Sequence, residues 1–383
     1  MKIGLLGLGT IGSGIYEHLQ KRDDMEVVRI VELKRHPGLE HLETSDFGEV
    51  LNDPGIDTIV ELIGGMEPAH TFTVQALKAG KNVVTANKLM LSRHMEELLN
   101  LAKENGVQYR YDASVGGSIP FLYNLMRHRS ADRLVAISGI VNGTTNLILD
   151  VMQSSDRSFE DVLKEAQAQG YAEANPSADI DGIDAQCKLI IASAVAYGQY
   201  VHPEDVDTAG IRHITGADII VFNAMDKVCR LMVQSHRNTD GTISAYVEPT
   251  LVAPDSTEAA VHMNNNTISV EGEYFGIQNF QGQGAGKDPT AFAVELGLRD
   301  IQEGISDRMN PIPKGYAAVD NRQARHSYYL RTAAPVELPA RCLGECGNGR
   351  AYITEPMSVR EMHELAKQLQ GIDGNTFFAG IRE

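Results

Sequence analysis

KIGLLGLGTIGSG, residues 2–14, joins a short apolar strand to a helix through three spaced glycines. The pattern G-x-G-x-x-G between a strand and a helix is typical of a dinucleotide-binding turn. Gly7 permits the tight turn, Gly9 lets the backbone approach a pyrophosphate, and Gly12 lets the helix pack against the strand. The helix N-terminus faces the phosphates. The predicted cofactor contacts of this turn are Gly7, Gly9, Thr10, Ile11 and Gly12.

The choice between NAD and NADP depends on the residues after the second predicted strand, 26–31. That strand ends at Glu32, 20 residues after the last glycine of the turn. An acid at this position bonds the ribose hydroxyls, which favours NAD. Lys34 and Arg35 follow and could instead meet a 2′-phosphate or lie in a solvated loop. The cofactor is therefore NAD or NADP, with a slight preference for NAD.

The strands that follow continue a doubly wound sheet. The apolar run 56–63 ends at Gly64, and the run 81–85 leads to Asn87 and Lys88. Strand ends of this kind line the cofactor crevice of an open α/β sheet. Lys88 could contact a cofactor phosphate, a ribose or the substrate, or it could be an ordinary surface lysine.

The segment 112–120, DASVGGSIP, combines a carboxylate with two glycines that can turn backbone carbonyls inward. Carboxylate and carbonyl oxygens are hard ligands that suit a small cation. The alternative is a plain turn between a strand and a helix, and the residues themselves favour that alternative.

The strand 134–141 runs into Asn142, Gly143, Thr144 and Thr145. Hydroxyls and amides at a strand–helix junction suit an anionic or amino-acid ligand. The same residue types also form ordinary helix N-caps. Both interpretations stay open.

The most charged segment is 170–188, GYAEANPSADIDGIDAQCK. We expect a helix to begin near Asp181 as its N-cap, which places Asp184 and Lys188 one turn apart on one face. An apolar run follows Lys188, and a lysine beside low-dielectric packing can exchange protons near neutral pH. The alternative is a surface ion pair worth about 0.3–0.5 kcal/mol.

A second domain follows, because 243–252, 260–270 and 274–280 read as strands of a mixed sheet. Gly284 and Gly286 then precede a helix predicted over 289–299 and suit close approach to the cofactor. The sequence therefore predicts an α/β protein with a Rossmann-type domain, a second α+β domain and a short C-terminal α+β tail. The predicted boundaries are 1–133 completed by 284–321 for the cofactor domain, 134–283 for the second domain and 322–383 for the tail.

Composition excludes several classes of function. The chain has 383 residues, 43% of them hydrophobic, and a net charge of −17. This charge argues against a nucleic-acid or anionic-membrane surface. Only four cysteines occur, which favours a reducing cytoplasm. Cys342 and Cys346 could form a metal half-site or a redox pair, although an incidental role is the simpler interpretation.

Taken together, these segments resemble the homoserine dehydrogenase family from Met1 to about Asp300. The matching motifs, in family order, are GLGTIGSG (7–14), ELIGG (61–65), TANK (85–88), DASVGGSIP (112–120), GIVNGTTN (139–146), GYAEANPSADIDGIDAQCKL (170–189) and GQGAGKDPTAFAV (282–294). The resemblance implies NAD(P)-dependent interconversion of L-aspartate 4-semialdehyde and L-homoserine, a step in threonine and methionine biosynthesis. Two alternatives remain: another amino-acid dehydrogenase, or a cofactor-binding regulatory protein without catalysis.

The resemblance also implies roles for individual residues. Lys188 matches the proton-donating lysine, Asp184 its carboxylate neighbour, and Glu173 the acid that holds the substrate amino group. The other matches are Asp179 as a second substrate-side acid, Lys88 at the cofactor–substrate junction, Thr144 and its neighbours in the substrate loop, and Asp112, Val115, Gly117 and Ile119 at a monovalent-cation (Na⁺ or K⁺) site. Asp112 replaces the family's usual Glu, so its carbonyl is the better candidate ligand.

Glu32 stands where many NADP-using members carry an arginine, which agrees with the preference for NAD. The family's second domain pairs subunits through its sheet, which implies a homodimer or homotetramer. A full regulatory ACT domain has the order βαββαβ. The tail lacks a pattern for the first helix and resembles an incomplete ACT-like module.

Overall fold

The computed structural model describes residues 1–305 and 312–382, and they fold into two units. The first unit comprises Met1–Asp132, Ile191–Tyr200 and Gln283–Gly315. The second unit comprises Arg133–Ile190, Val201–Gly282 and Tyr316–Glu383. Each unit has its own sheet. Strands and helices are numbered below in chain order.

The sheet of the first unit consists of six parallel strands. They are β1 (Lys2–Leu6), β2 (Glu26–Val31), β3 (Glu43–Thr44), β4 (Thr58–Glu61), β5 (Asn82–Thr85) and β6 (Tyr109–Arg110). Their order is β3-β2-β1-β4-β5-β6. The direction of winding reverses between β1 and β4, and dinucleotides bind beyond the carboxyl ends of strands at such a reversal. This is the Rossmann-type sheet that the sequence predicts.

Helices cover this sheet and complete its core. They are α1 (Thr10–Leu19), α2 (Phe47–Leu51), α3 (Ala69–Lys78), α4 (Lys88–Glu104), α5 (Phe121–Ala131) and, late in the chain, α11 (Lys287–Gln302). Ile15 and Leu19 of α1 share one buried cluster with Ala291 and Val294 of α11. A Cβ on Gly14 would lie 3.2 Å from the Ala291 Cβ, so glycine lets the two helices approach closely. Residues after 283 therefore complete the unit that the N-terminus begins.

The second unit contains a larger, mostly antiparallel sheet. Its strands are β7 (Leu134–Ile140), β8 (Asp207–Thr208), β9 (Val228–Arg237), β10 (Ile243–Val252), β11 (Asn265–Gly272), β12 (Gly276–Gln283), β14 (Tyr328–Thr332), β15 (Ala340–Cys346), β16 (Gly349–Thr354) and β18 (Phe377–Ile381). Their order is β12-β11-β7-β9-β10-β18-β14-β16-β15, with β8 paired to β10. A separate two-stranded ribbon pairs β13 (Arg325–His326) with β17 (Met357–Ser358).

Among the residues that the structure describes, six α-helices begin in this unit. They are α6 (Gly143–Ser154), α7 (Phe159–Ala168), α8 (Ser177–Ile180), α9 (Ile183–Tyr197), α10 (Gly216–Ala224) and α12 (Val359–Gln370). A buried polar cluster joins α10 to β14. Arg331 Nε and the Tyr329 hydroxyl each donate to Asp218 Oδ1 at 2.7 Å. Such a pair is costly to break because removing one partner leaves a buried charge.

The C-terminal strands continue the same sheet. β14, β16 and β15 are antiparallel neighbours, and β18 pairs with both β14 and β10. α12 lies between β16 and β18, whereas residues 333–339, which connect β14 to β15, contain no helix. The strand order β18-β14-β16-β15 is that of a βαββαβ arrangement lacking its first helix.

Several predicted elements differ from the structure. Residues 335–349 are rich in proline and glycine, which predicts a loop, but they contain β15, whose mostly exposed residues include glycine and charged side chains. The strand expected over 260–270 begins only at Asn265. The helix expected from 289 begins at Lys287 and continues to Gln302. The apolar periodicity of residues 359–370 predicts a helix, and α12 has these bounds.

Across the described residues, no helix combines the length and apolar character that crossing a lipid bilayer would need.

Candidate active site

The glycine turn has the geometry that its sequence predicts. Gly7 has φ +88°, and a Cβ there would lie 2.8 Å from the Leu62 carbonyl oxygen. A Cβ on Gly12 would lie 2.1 Å from the Gly7 carbonyl oxygen. Gly9 is the N-cap of α1, and a Cβ there would meet nothing within 4 Å. The first two residues of α1 are Thr10 and Ile11. The turn is therefore tightly packed at Gly7 and Gly12 and open at Gly9, as phosphate approach requires.

The Glu32 carboxylate lies against this turn. Its Oε2 accepts from Leu8 N at 2.9 Å, and its Oε1 accepts from Leu33 N at 2.8 Å and Lys34 N at 3.2 Å. Burial acts to raise the pKa of Glu32, but the hydrogen bonds from these backbone N–H groups outweigh it and lower the pKa. An anionic carboxylate is thus held next to the predicted phosphate turn.

The two basic residues after Glu32 differ in their surroundings. Arg35 Nη1 donates to the Glu43 carbonyl oxygen at 3.0 Å, which directs the guanidinium to β3. Lys34 is exposed. Both residues are exposed, but the Arg35 side chain is also held by this hydrogen bond.

A hydrogen-bonded chain connects the loops that follow β4 and β5. Thr85 Oγ1 donates to Glu61 Oε2 at 2.7 Å, and Asn87 N donates to Thr85 Oγ1 at 2.9 Å. Asn87 Nδ2 donates to the Gly65 carbonyl oxygen at 2.8 Å. Glu61 is fully buried, and burial raises its pKa. Glu61 and Thr85 are not among the residues that the sequence analysis proposes for the site, although an acid at the end of a buried apolar strand is a usable signal.

Three other predicted cofactor residues lie at these loop ends. Asn87 caps α4, because its Oδ1 accepts from Met90 N at 3.1 Å. Lys88 is the first residue of that helix. Gly64 has φ +77°, and a Cβ there would meet nothing within 4 Å. Asn87, Lys88 and Gly64 therefore belong to the same edge of the sheet as the glycine turn.

The predicted cation turn packs against the segment that precedes α11. Asp112 begins a short 3₁₀ turn, and Gly117 has φ +54°. A Cβ on Gly117 would lie 2.8 Å from the Gly284 carbonyl carbon, so only glycine fits there. Gly286, with φ +124°, is the N-cap of α11. The two remaining predicted ligands, Val115 and Ile119, are buried. The donor set of carbonyl and carboxylate oxygens is compatible with a hard cation.

In the second unit, Lys188 and Asp184 form a buried ion pair on α9. Lys188 Nζ lies 2.8 Å from Asp184 Oδ2, and their side chains are 7% and 6% exposed. Lys188 Nζ also donates to the Val141 carbonyl oxygen at 2.6 Å. The alternative of a surface ion pair is wrong, because both groups are removed from solvent.

Asn142 connects this pair to a second predicted acid. Its Nδ2 donates to Asp184 Oδ2 at 2.8 Å and to Asp179 Oδ1 at 2.7 Å. Asn142 follows β7, Asp179 lies on α8 and Asp184 lies on α9. The two acids are 37 and 42 residues from Asn142 in the sequence. The amide therefore fixes the two carboxylates relative to each other.

The same asparagine caps α6, so the cap and ligand interpretations of this loop are compatible. Asn142 Oδ1 accepts from Thr145 N at 2.9 Å. Gly143 is the first residue of α6. Thr144 Oγ1 donates to the Tyr171 carbonyl oxygen at 2.8 Å, which ties the loop to the start of the charged segment.

The rest of the charged segment differs partly from expectation. Asp181 is the C-cap of α8, not the N-cap of α9, and its carboxylate binds Arg212 at 2.7 Å. Glu173 is exposed, and its carbonyl oxygen accepts from Gln167 Nε2 at 3.0 Å. Glu173 therefore does not belong to the buried group around Lys188.

The cysteine thiols are free. Cys342 is exposed, and Cys346 is buried beside the Tyr329 hydroxyl at 3.4 Å. Burial raises the pKa of Cys346, which disfavours the reactive thiolate.

Comparison with known protein families identifies the class. A family model described as homoserine dehydrogenase matches residues 120–301, and one described as the NAD-binding domain of homoserine dehydrogenase matches residues 7–112. The chain is an oxidoreductase that acts on a CH–OH group and carries an NAD(P)-binding domain.

Individual relatives narrow the class to one family. Homoserine dehydrogenase of Bacillus subtilis is 39% identical over 80% of this chain and 73% of its own length. The Pseudomonas aeruginosa enzyme is 37% identical over 87% of this chain and 82% of its own length. The chain belongs to the homoserine dehydrogenase family. This confirms the family that the motifs indicated and disfavours both alternatives.

Solved structures agree with this assignment. A homoserine dehydrogenase from Thiobacillus denitrificans has a TM-score of 0.86 and 30% identity, covering 100% of this chain and 98% of that chain. The S. aureus homoserine dehydrogenase has a TM-score of 0.76 at 28% identity, covering 100% of this chain and 98% of its own.

Proposed function

We propose that Lys188 exchanges the proton when this enzyme interconverts L-aspartate 4-semialdehyde and L-homoserine. The observation that carries the proposal is the buried contact of Lys188 Nζ with Asp184 Oδ2 at 2.8 Å. A bound nicotinamide cofactor supplies or accepts the hydride. As the carbonyl is reduced, its oxygen gains negative charge, which the Lys188 ammonium neutralises by giving up a proton. In the reverse direction the neutral amine takes the hydroxyl proton.

Asp184 and Asn142 position the ammonium for this role. The Asp184 carboxylate accepts from both Lys188 Nζ and Asn142 Nδ2, so neither partner rotates freely. The Val141 carbonyl oxygen adds a second acceptor for the ammonium. A fixed ammonium is already oriented when charge develops on the substrate, which lowers the cost of reorganisation.

The amino-acid end of the substrate is assigned to Glu173, Asp179 and the start of α6. Glu173 and Asp179 would hold the substrate amino group, with Asp179 placed by its bond to Asn142. The substrate carboxylate suits the N-terminus of α6, where an anion meets backbone N–H groups. The residues proposed there are Asn142, Gly143, Thr144 and Thr145.

NAD is the proposed cofactor, because Glu32 favours ribose hydroxyls and repels a 2′-phosphate. The residues proposed to hold the cofactor are Gly7, Gly9, Thr10, Ile11, Gly12, Glu32, Lys34, Arg35, Gly64, Asn87, Lys88, Gly284 and Gly286. Of these, Lys34 and Arg35 would matter most if NADP were used, since both basic residues are exposed. Lys88 is proposed to serve both the cofactor and the substrate.

A monovalent cation, Na⁺ or K⁺, is proposed for the turn formed by Asp112, Val115, Gly117 and Ile119. Carbonyl oxygens would supply most of the binding, and the close fit of Gly117 against Gly284 supports a fixed turn. Such an ion would hold this loop next to the start of α11 and would not take part in proton transfer.

The domain roles and assembly also remain proposals. Residues 1–133 with 284–321 would bind the cofactor, 134–283 would bind substrate and pair subunits, and 322–383 would form the incomplete ACT-like module. β12 lies at a sheet edge with six of its eight residues exposed, which supports pairing of copies as a homodimer or homotetramer. Sedimentation equilibrium would measure the assembly directly.

Steady-state rates test the proposed reaction. Homoserine should produce the absorbance of reduced nicotinamide with NAD, and more slowly with NADP. L-Aspartate should give no signal. Glu173→Gln should raise the KM for homoserine more than it lowers kcat, because it removes a substrate contact and leaves the proton donor intact. An unchanged KM would remove Glu173 from the substrate site.

A further inference from the structure

One cluster in the first unit brings two imidazoles and a carboxylate to a common point. His70 lies on α3, and His94 and Glu97 lie three residues apart on α4. Within the described ranges, the ligand atoms of these three side chains all lie within 4.8 Å of one another. The two imidazole rings are stacked with their centroids 3.9 Å apart. None of these residues has a part in the hydride or proton chemistry proposed above.

Both imidazoles point at the same carboxylate oxygen. His70 Nε2 lies 2.8 Å from Glu97 Oε2, and His94 Nδ1 lies 3.3 Å from it. A tetrahedral zinc ion with bonds of about 2.0–2.1 Å separates its donor atoms by about 3.3 Å. The two nitrogen–oxygen distances, 2.8 Å and 3.3 Å, are close to this spacing, and all three donor atoms lie within 4.8 Å of one another. Their side chains are 19%, 33% and 45% exposed, which leaves room for small adjustments and for entry of the ion.

A second carboxylate, that of Glu67, contacts the His70 ring on the side away from Glu97. His70 Nδ1, the nitrogen that does not face Glu97, lies 3.4 Å from Glu67 Oε1. Glu67 is held in turn by Thr71, whose Oγ1 donates to Glu67 Oε2 at 2.8 Å. Metal-binding histidines typically donate their other N–H to a carboxylate in this way, which fixes the tautomer and the ring orientation.

The histidine pair of the second unit differs from this arrangement. His326 Nε2 and His363 Nε2 lie 2.9 Å and 3.0 Å from Glu248, but on different oxygens of its carboxylate. Glu248 is fully buried between them. There each imidazole contacts its own carboxylate oxygen, whereas His70 and His94 both contact Glu97 Oε2.

We propose that His70 Nε2, His94 Nδ1 and a Glu97 oxygen bind a divalent transition-metal ion of the Zn²⁺ type. Two imidazoles and one carboxylate suit zinc and disfavour Mg²⁺, which prefers oxygen ligands and retained water. The fourth position would take a water molecule. Because the ligands come from two helices, the ion joins α3 to α4.

Zinc titration of the untagged full-length enzyme tests this site, with isothermal calorimetry as the readout. We expect one Zn²⁺ per chain and no competition from Mg²⁺. Glu67→Gln should weaken binding about 10–100-fold, as loss of an outer carboxylate does. His70→Ala and His94→Ala should weaken it more than Glu67→Gln does. His41→Ala, which changes an exposed histidine elsewhere in the same unit, should bind zinc like the unaltered chain.

Two further measurements keep the test decisive if a histidine variant folds poorly. Glu97→Gln retains an oxygen acceptor for both imidazoles and should keep the fold while losing zinc affinity. Anomalous scattering from a zinc-soaked crystal should place the ion between His70, His94 and Glu97. No stoichiometric binding by the unaltered enzyme, an ion located elsewhere, or equal affinity in the Glu97→Gln and His41→Ala variants would overturn the proposal.

Discussion

Lys188 Nζ lies 2.8 Å from Asp184 Oδ2, one helical turn away on α9, with both side chains buried. Exposed ion pairs contribute little to stability, whereas a buried pair is costly unless further hydrogen bonds satisfy both partners. Val141 and Asn142 supply those bonds. Lys188 and Asp184 therefore form a buried polar pair on a helix that is otherwise packed by apolar side chains. Such a pair is suited to proton exchange.

Asp184→Asn should lower kcat for homoserine about 10²-fold, because a misplacement of the ammonium by ~1 Å has an effect of that size. Cofactor affinity, measured by quenching or transfer of reduced-nicotinamide fluorescence, should stay the same. Asp181→Asn is the matched control, since Asp181 belongs to the same acidic segment but pairs with Arg212 at the surface. Equal losses in both variants would show that general disruption of the segment, not positioning of Lys188, causes the effect.

Glu32→Gln should shift the ratio of kcat/KM for NADP to that for NAD upward by about tenfold, which corresponds to about 1.4 kcal/mol. The physical reason is the loss of a negative charge near the site proposed for the 2′ position. The backbone hydrogen bonds that lower the pKa of Glu32 keep that charge in place at neutral pH. Glu26→Gln, at the exposed start of β2, the strand that precedes Glu32, serves as the control. A ratio that does not move would remove Glu32 from cofactor selection.

Glu248→Gln should make the free energy of unfolding vary less as the pH is lowered from neutral to acidic. Burial alone would raise the pKa of Glu248, but hydrogen bonds from His326 and His363 outweigh it and lower the pKa. A carboxyl group whose pKa is lowered by folding stabilises the protein above its unfolded pKa, and this contribution is lost as pH falls through the folded pKa. At neutral pH the free energy of unfolding of the variant should therefore be lower than that of the unaltered chain, by an amount on the order of 3 kcal/mol. At acidic pH this difference in the free energy of unfolding should be smaller.

Thermal unfolding at neutral and acidic pH measures this difference. Glu364→Gln is the control, because Glu364 follows His363 on α12 but is exposed. A constant offset between the Glu248 variant and the unaltered chain at every pH would indicate a packing effect and contradict the proposed ionic contribution.

Local patterns made the Rossmann-type unit predictable. The backbone atoms next to Gly7 and Gly12 are too close to leave room for a Cβ, so both positions require glycine. This requirement is therefore visible in the sequence as the spacing of the glycines. The α12 helix was equally predictable, because its apolar face and its Ser358 capping box lie within one segment. Lys188 and Asp184 could be paired for the same reason, since helical periodicity places residues four apart on one face.

Contacts between distant segments were not predictable in this way. Glu61 and Thr85 meet because β4 and β5 are neighbours in the sheet, which the spacing of the two residues does not reveal. Asn142 reaches both Asp179 and Asp184 only after β7, α8 and α9 come together. The sequence of β15 does not indicate a strand, because β15 lies exposed at the sheet edge and its residues show little alternation of apolar and polar side chains.

The most direct test of the central claim is the kcat of Lys188→Ala for homoserine oxidation, compared with Lys164→Ala at an exposed position on α7. If Lys188 exchanges the proton, kcat should fall about 10²–10⁴-fold, while cofactor affinity and the control variant stay unchanged. A Lys188→Ala enzyme that turns over as fast as the unaltered chain would contradict the assignment.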